Sequence, residues 1–251
     1  MTQSQGELGP RVLPRPARSW RSLTEHARTS QGRTLIAGGV LVLAGLAMFA
    51  GLLDGVLERD DLSTLDSPVL GWLMARRTGA TTATFARISS FADPVVLSAI
   101  VLVVIVVLVW RTRGVRSGLL LGGPMGIAMA TSSGVKVLVS RSRPPTADMI
   151  APFEANFAFP SGHTVGAATF LLVCAYLWWS SRPTVWVAVV GLAASAVGTA
   201  LIALSRLYLG YHWLTDVSAS VAIAVAILGA VIVVDPLLSG SRAARAWRPT
   251  D

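Results

Sequence analysis

The chain has 251 residues, 53% of them hydrophobic and only 14% charged, with a net charge of +8, and its mean hydropathy is +0.63. Soluble domains average about 45–50% apolar and about 25% charged residues, so this balance excludes an ordinary soluble domain and points to the membrane. The basic excess does not mark a nucleic-acid binder, because the arginines flank apolar segments and form no single stripe with interleaved aromatics.

The first 33 residues hold Pro10, Pro14 and Pro16 among six arginines and lack apolar periodicity, which reads as a disordered basic cytosolic tail (1–33). No small-residue cleavage site follows, so the first apolar block reads as a retained helix and not as a signal peptide. Six apolar blocks, near 34–53, 92–110, 117–139, 163–180, 184–204 and 215–234, each reach the ~18 residues that a bilayer-crossing helix needs. The expected fold is all-α: one six-helix membrane domain over 34–237, then a short cytosolic tail at 238–251.

Between the first two blocks, Asp66 to Phe91 places Leu70, Leu73 and Met74 on one helical face, with Arg76, Arg77 and Arg87 elsewhere. This predicts an amphipathic helix on the outer membrane surface, with a plain loop as the alternative. The N-terminal tail, the 111–116 loop, the 181–183 turn and the C-terminal tail carry most loop arginines, whereas the alternate side holds Asp54, Glu58, Asp60, Asp61 and Asp66. Lys and Arg in short loops stay cytoplasmic, so both termini are expected inside and the loops after the first, third and fifth blocks outside. Cys174 is the only cysteine, which rules out an intrachain disulfide.

Ionisable residues at membrane helices are costly and usually mark function. Here Lys136, Arg141, Arg143, His163, Arg206, His212 and Asp216 all fall toward the outer side. Lys136, the only lysine among 21 basic residues, stands seven residues before Arg143, which on a helix returns to nearly the same azimuth. Pro144 would end that helix. Pro160, Ser161, Gly162 and His163 read as a helix N-terminus whose Ser161 and Gly162 amides are free to bind an anion. His212 and Asp216 are four residues apart, so the carboxylate can accept from one imidazole nitrogen and leave the other as a nucleophile.

Singly, these groups read equally well as headgroup anchors, an ordinary cap and an interfacial His–Asp pair. Together, at one membrane face, they are what is needed to hold a phosphate and displace its ester oxygen. Arg141 is read as a rim residue.

Lys136-x6-Arg143-Pro144, Pro160-Ser161-Gly162-His163 and Ser205-Arg206-x5-His212-x3-Asp216 resemble the three-part signature of the type-2 phosphatidic acid phosphatase family, which includes lipid phosphate phosphatases and vanadium haloperoxidases. The resemblance covers about residues 60–235. It implies that Lys136, Arg143, Arg206 and the Ser161 and Gly162 amides bind phosphoryl oxygens. It also implies that His212 attacks phosphorus to give a phosphohistidine, that Asp216 orients His212, and that His163 handles the leaving-group and water protons. The implied enzyme is a metal-independent, cofactor-free hydrolase of a lipid phosphate in the plasma membrane. Undecaprenyl diphosphate is the favoured substrate, with release on the extracytoplasmic side recycling the cell-wall carrier lipid. Phosphatidic acid or phosphatidylglycerol phosphate is the alternative, as is transfer to an acceptor hydroxyl. No nucleic-acid partner is implied.

Overall fold

The computed structural model describes residues 20–246. Its helices are α1 (Trp20–Glu58), α2 (Asp66–Met74), α3 (Gly79–Phe91), α4 (Pro94–Thr112), α5 (Arg116–Val139), α6 (Gly162–Ser181), α7 (Val185–Tyr208) and α8 (Leu214–Ala246), with 3-10 turns at Asp61–Leu65 and Thr146–Asp148. The described residues include no strand. Six of the helices, α1 and α4 to α8, are long and apolar enough to cross a membrane.

Two expectations are corrected and one is extended. Residues 20–33, read as part of a disordered tail, belong to α1, while 1–19 lie outside the described residues. The C-terminal tail is likewise helical as far as Ala246, and 247–251 lie outside the described residues. The 66–91 segment is two helices, because the Thr78 hydroxyl accepts from the Thr81 amide and the Thr81 hydroxyl from the Thr78 amide. Such a reciprocal box starts a new helix. Arg77, just before it, donates to the Tyr208 carbonyl at 2.9 Å and the Asp148 carbonyl at 2.8 Å, tying this turn to the end of α7.

Helix α8 is the most enclosed of the spans. It packs against α1 along small residues, and a Cβ added at Gly45 would meet the Ala226 amide nitrogen at 2.6 Å and the Ala222 carbonyl at 2.7 Å. Lipid supplies no hydrophobic drive between helices, so close backbone approach carries this contact. Helix starts are fixed by side chains: Asp93 accepts from the Val95 and Val96 amides before α4, with Pro94 in its first turn, and Thr184 accepts from Val187 before α7.

Helix α5 ends at Val139, before Arg141 and Arg143, because Ser140 turns the chain at φ 49°. Lys136 and Arg143 therefore converge across a turn and not along one helical face. Gly210, at φ +79°, makes the other sharp turn, between Arg206 and His212. A side chain there would be strained by its left-handed backbone and would run into the Asp148 carbonyl. These turns, the N-terminus of α6 and the start of α8 meet at one end of the bundle.

Candidate active site

His212 stands just before α8, yet its Nδ1 lies 3.2 Å from Asp216 Oδ2. The same carboxylate oxygen accepts from the Trp213 amide at 2.9 Å. The i, i+4 contact read from the sequence is therefore made even though the imidazole precedes the first helical residue. His212 Nε2 lies 3.2 Å from Arg143 Nη1. His212 is 1% exposed and Asp216 fully buried.

Arg143 is held in irregular chain after Ser140. Its Nε donates to the Asn156 carbonyl at 2.6 Å and its Nη1 to the Tyr211 carbonyl. Arg206, in the last turn of α7, stacks its guanidinium 4.4 Å over the Tyr211 ring and donates Nη1 to Ser89 Oγ at 2.8 Å. Arg206 Nε is buried with no hydrogen-bond partner among the described residues. Lys136 Nζ donates to the Phe157 carbonyl and, at 3.5 Å, to that of Ala158. Lys136, Arg143, Gly162, His163 and His212 line one pocket, together with Asp93, Ser132 and Asn156.

Ser161 departs from expectation. Its amide donates to the Asp216 carbonyl at 3.3 Å, and its carbonyl accepts from Ser220 Oγ at 3.0 Å. Its hydroxyl accepts from the Thr164 hydroxyl at 3.1 Å. Ser161 is fully buried and absent from the pocket wall, so it caps α6 and ties it to α8. Gly162 keeps its place at the pocket, at the N-terminus of α6.

Two acidic groups enter that the sequence reading passed over. Glu154, from the 140–161 loop, ion-pairs with both guanidiniums: with Arg143 Nη2 at 2.7 Å and with Arg206 Nη2. Burial works to raise its carboxyl, but Arg206 and Arg143 together outweigh that and hold it at about 2. A carboxylate thus occupies the two cations assigned to phosphoryl oxygens. The second is Asp66 at the start of α2, which accepts from Arg141 Nη2 at 2.6 Å while Arg141 Nη1 donates to Asp216 Oδ1 at 2.6 Å. Arg141 is therefore no rim residue, since it lies between two buried carboxylates.

Among the described residues, no group of three or more His, Cys, Asp or Glu is arranged to hold a metal ion. The pocket wall carries Lys136 and Arg143 beside Asp93 and Glu154, and burial, with the nearby Arg206, Arg143 and Lys136 charges, presses His212 well below the usual histidine range, against a smaller opposing pull from Glu154.

Fold and site together define a class: an all-helical membrane bundle with a buried His–Asp pair facing a pocket lined by Lys136 and Arg143 at one end. The family model for the PAP2 superfamily matches residues 117–238, which contain all three motifs. That stretch of the chain is similar to the PAP2 superfamily. Phosphatidylglycerophosphatase B of Escherichia coli K12 is 43% identical over 63 residues, covering 25% of this chain and 23% of that protein. Its namesake in Bacillus subtilis 168 is 32% identical over 111 residues, covering 42% and 51%. The chain thus spans about a quarter to a half of the length of these curated relatives. The crystal structure of a transmembrane PAP2-type phosphatidylglycerolphosphate phosphatase from Bacillus subtilis superposes with a TM-score of 0.65 at 19% identity, over 86% of this chain and 99% of that one, a likeness of fold.

Proposed function

We propose that this protein is a membrane lipid phosphate phosphatase that works through a phosphohistidine on His212. The observation that carries the reading is the paired engagement of His212: Nδ1 on Asp216 and Nε2 toward a pocket lined by Lys136, Arg143 and His163. In the first step Nε2 bonds to phosphorus, the ester P–O bond breaks, and His163 gives a proton to the leaving oxygen. In the second, His163 takes a proton from water, whose oxygen displaces His212 and releases phosphate. Lys136, Arg143 and Arg206 offset the charge on the phosphoryl oxygens, a job for which other enzymes use Mg²⁺. Glu154 must leave the two arginines when phosphate arrives. Asp216 favours the imidazolium character that builds on His212.

Beside the pocket, an apolar groove lined by Leu97, Val101, Ile105, Gly122, Met125 and Gly126 runs to Gly162, a path along which a lipid tail reaches the phosphate site from the bilayer. The distribution of loop arginines supports cytosolic termini and a site on the extracytoplasmic face. The curated relatives are named for phosphatidylglycerol phosphate, which moves that lipid ahead of undecaprenyl diphosphate as the favoured substrate. The test is phosphate release by purified protein across lipid monophosphates and diphosphates, with His212→Ala as the blank. Release that persists in the blank rejects the nucleophile, and a phosphorylated acceptor in place of free phosphate rejects hydrolysis.

A further inference from the structure

Arg141 and Arg143 are two residues apart but serve opposite sides of the His212–Asp216 pair. Arg143 reaches His212 Nε2 and lines the pocket. Arg141 does not line it, and instead borders a separate cleft with Arg59, Asp66 and Trp213. Its Nη1 donates to Asp216 Oδ1 and to Thr215 Oγ1, both at 2.6 Å, and its Nη2 to Asp66 Oδ2 at 2.6 Å. Asp66 also accepts from the Thr215 amide at 2.9 Å and the Thr215 hydroxyl at 2.8 Å. The side chains of Asp66 and Asp216 are 5% and 0% exposed, so water does not compete for these bonds.

The geometry has a chemical consequence. With Oδ1 of Asp216 fixed by a charge-assisted bond, Oδ2 is left aimed at His212 Nδ1, and the carboxylate cannot swing away about its Cβ–Cγ bond. Asp66 balances the charge of Arg141 and, through Thr215, fixes the first turn of α8 that carries Asp216. We propose that Arg141 and Asp66 are positioning residues for the nucleophile: they hold Asp216 so that His212 keeps its proton on Nδ1 and its lone pair on Nε2. This rests on the phosphatase reading. It assigns to the start of α2 a part in the chemistry that none of the three motifs includes.

The test uses the full chain in detergent and compares wild type with Arg141→Gln, Arg141→Lys, Asp66→Asn and Arg143→Gln. Inorganic phosphate serves as the ground-state probe, because it binds through Lys136, Arg143 and Arg206 and not through an N–P bond. Misplacing a reacting group by ~1 Å costs about 10²-fold. Arg141→Gln is therefore expected to lower kcat about 10²-fold with the phosphate inhibition constant within about twofold of wild type, and Asp66→Asn to lower kcat by a smaller factor. Arg141→Lys should recover part of the loss. Arg143→Gln should weaken phosphate binding. An unchanged kcat in folded Arg141→Gln, or a phosphate constant that moves in step with kcat, overturns the proposal. If Arg141→Gln does not fold, Arg141→Lys and Asp66→Asn are judged by the same two criteria.

A readout independent of turnover separates this idea from the phosphatase reading. The chain has only three histidines, so nitrogen-15 spectra of histidine-labelled protein report the His212 tautomer directly. One fixed Nδ1–H tautomer in wild type and a mixture in Arg141→Lys or Asp66→Asn supports positioning even if every lipid phosphate tried is inert. The same fixed tautomer in all three refutes it even if wild type is fully active.

Discussion

Arg143 Nη1 lies 3.2 Å from His212 Nε2, and a guanidinium has donors only, so Nε2 faces it with a lone pair. The proton then sits on Nδ1, 3.2 Å from Asp216 Oδ2. The two contacts, Arg143 on one nitrogen and Asp216 on the other, act together on the tautomer and on the direction in which Nε2 points.

The pH profile follows from that arrangement. Burial depresses the proton affinity of His212, and Arg206, Arg143 and Lys136 add to the effect, while Glu154 opposes it and Asp216 faces the other nitrogen. In the proposed mechanism the neutral imidazole is the active form, present above its titration point and lost as pH falls through it. Because that point lies well below 6.5, the acid limb of kcat/KM, corrected for the phosphate ester's own ionisation near ~6, is expected well below 6.5. Arg143→Gln removes one of the repelling charges and should move the limb upward. A wild-type limb at an ordinary histidine value would refute the reading.

Glu154 is paired with Arg143 and Arg206, so on the proposed mechanism it competes with phosphate for them. Glu154→Gln removes the competing charge and is expected to tighten inhibition by inorganic phosphate by about tenfold, equivalent to ~1.4 kcal/mol. Its carboxyl titrates at about 2 in the folded protein against 4.5 ordinarily. A depressed carboxyl contributes stability that is complete above its unfolded value and lost as pH falls through its folded one. The variant should therefore melt lower than wild type at neutral pH, and the gap should narrow between pH 4.5 and 2. Weaker phosphate inhibition in the variant would show that Glu154 is not a competitor.

The pocket offers an incoming phosphate Lys136, Arg143 and His163, with Glu154 already paired to the arginines. The Lys136 and Arg143 cations are suited to oxyanions and unsuited to a hard divalent ion, which takes carboxylate and carbonyl oxygens. Phosphate release is expected to persist after dialysis against EDTA. Loss of turnover that Mg²⁺ restores would contradict the mechanism.

Gly45 allows α1 to touch the backbone of α8. Gly45→Ala places a Cβ 2.6 Å from the Ala226 amide nitrogen, so the helices must part, and overpacking of this kind costs about 1–3 kcal/mol. A lower melting temperature in detergent is expected. Gly39→Ala, where an added Cβ meets nothing within 4 Å, is the control. Equal melting temperatures for the two would show that this contact is not tight.

The six spans were legible because each is a long apolar run, a property of the local sequence alone. The End of α5 was not, since Pro144 drew attention while Ser140, with no unusual sequence signal, makes the turn. His212 and Asp216 could be paired from spacing, which needs only one helical turn. Arg141 could not be assigned, because its partners Asp66 and Asp216 lie 75 residues away on either side. Glu154 carried one faint signal: it and Asp148 are the only acidic residues in the loop before the second motif. Ser161 was misread because a free helix amide and one bonded to a distant carbonyl look alike in sequence.

The bond from the Ser161 amide to the Asp216 carbonyl, with Ser220 returning to the Ser161 carbonyl, divides the site into a fixed half and an adjustable half. These bonds join the start of α6, which carries His163, to the first turns of α8, next to His212, so the separation of the two histidines that the proposed mechanism uses is set before any substrate arrives. Glu154 and Asn156 come from a loop with no such rivet to α6 or α8, and it is this side that must yield to admit a headgroup. On the proposed mechanism, lipids with different headgroups would then be sorted by how the loop accommodates them, while the same pair of histidines would serve each.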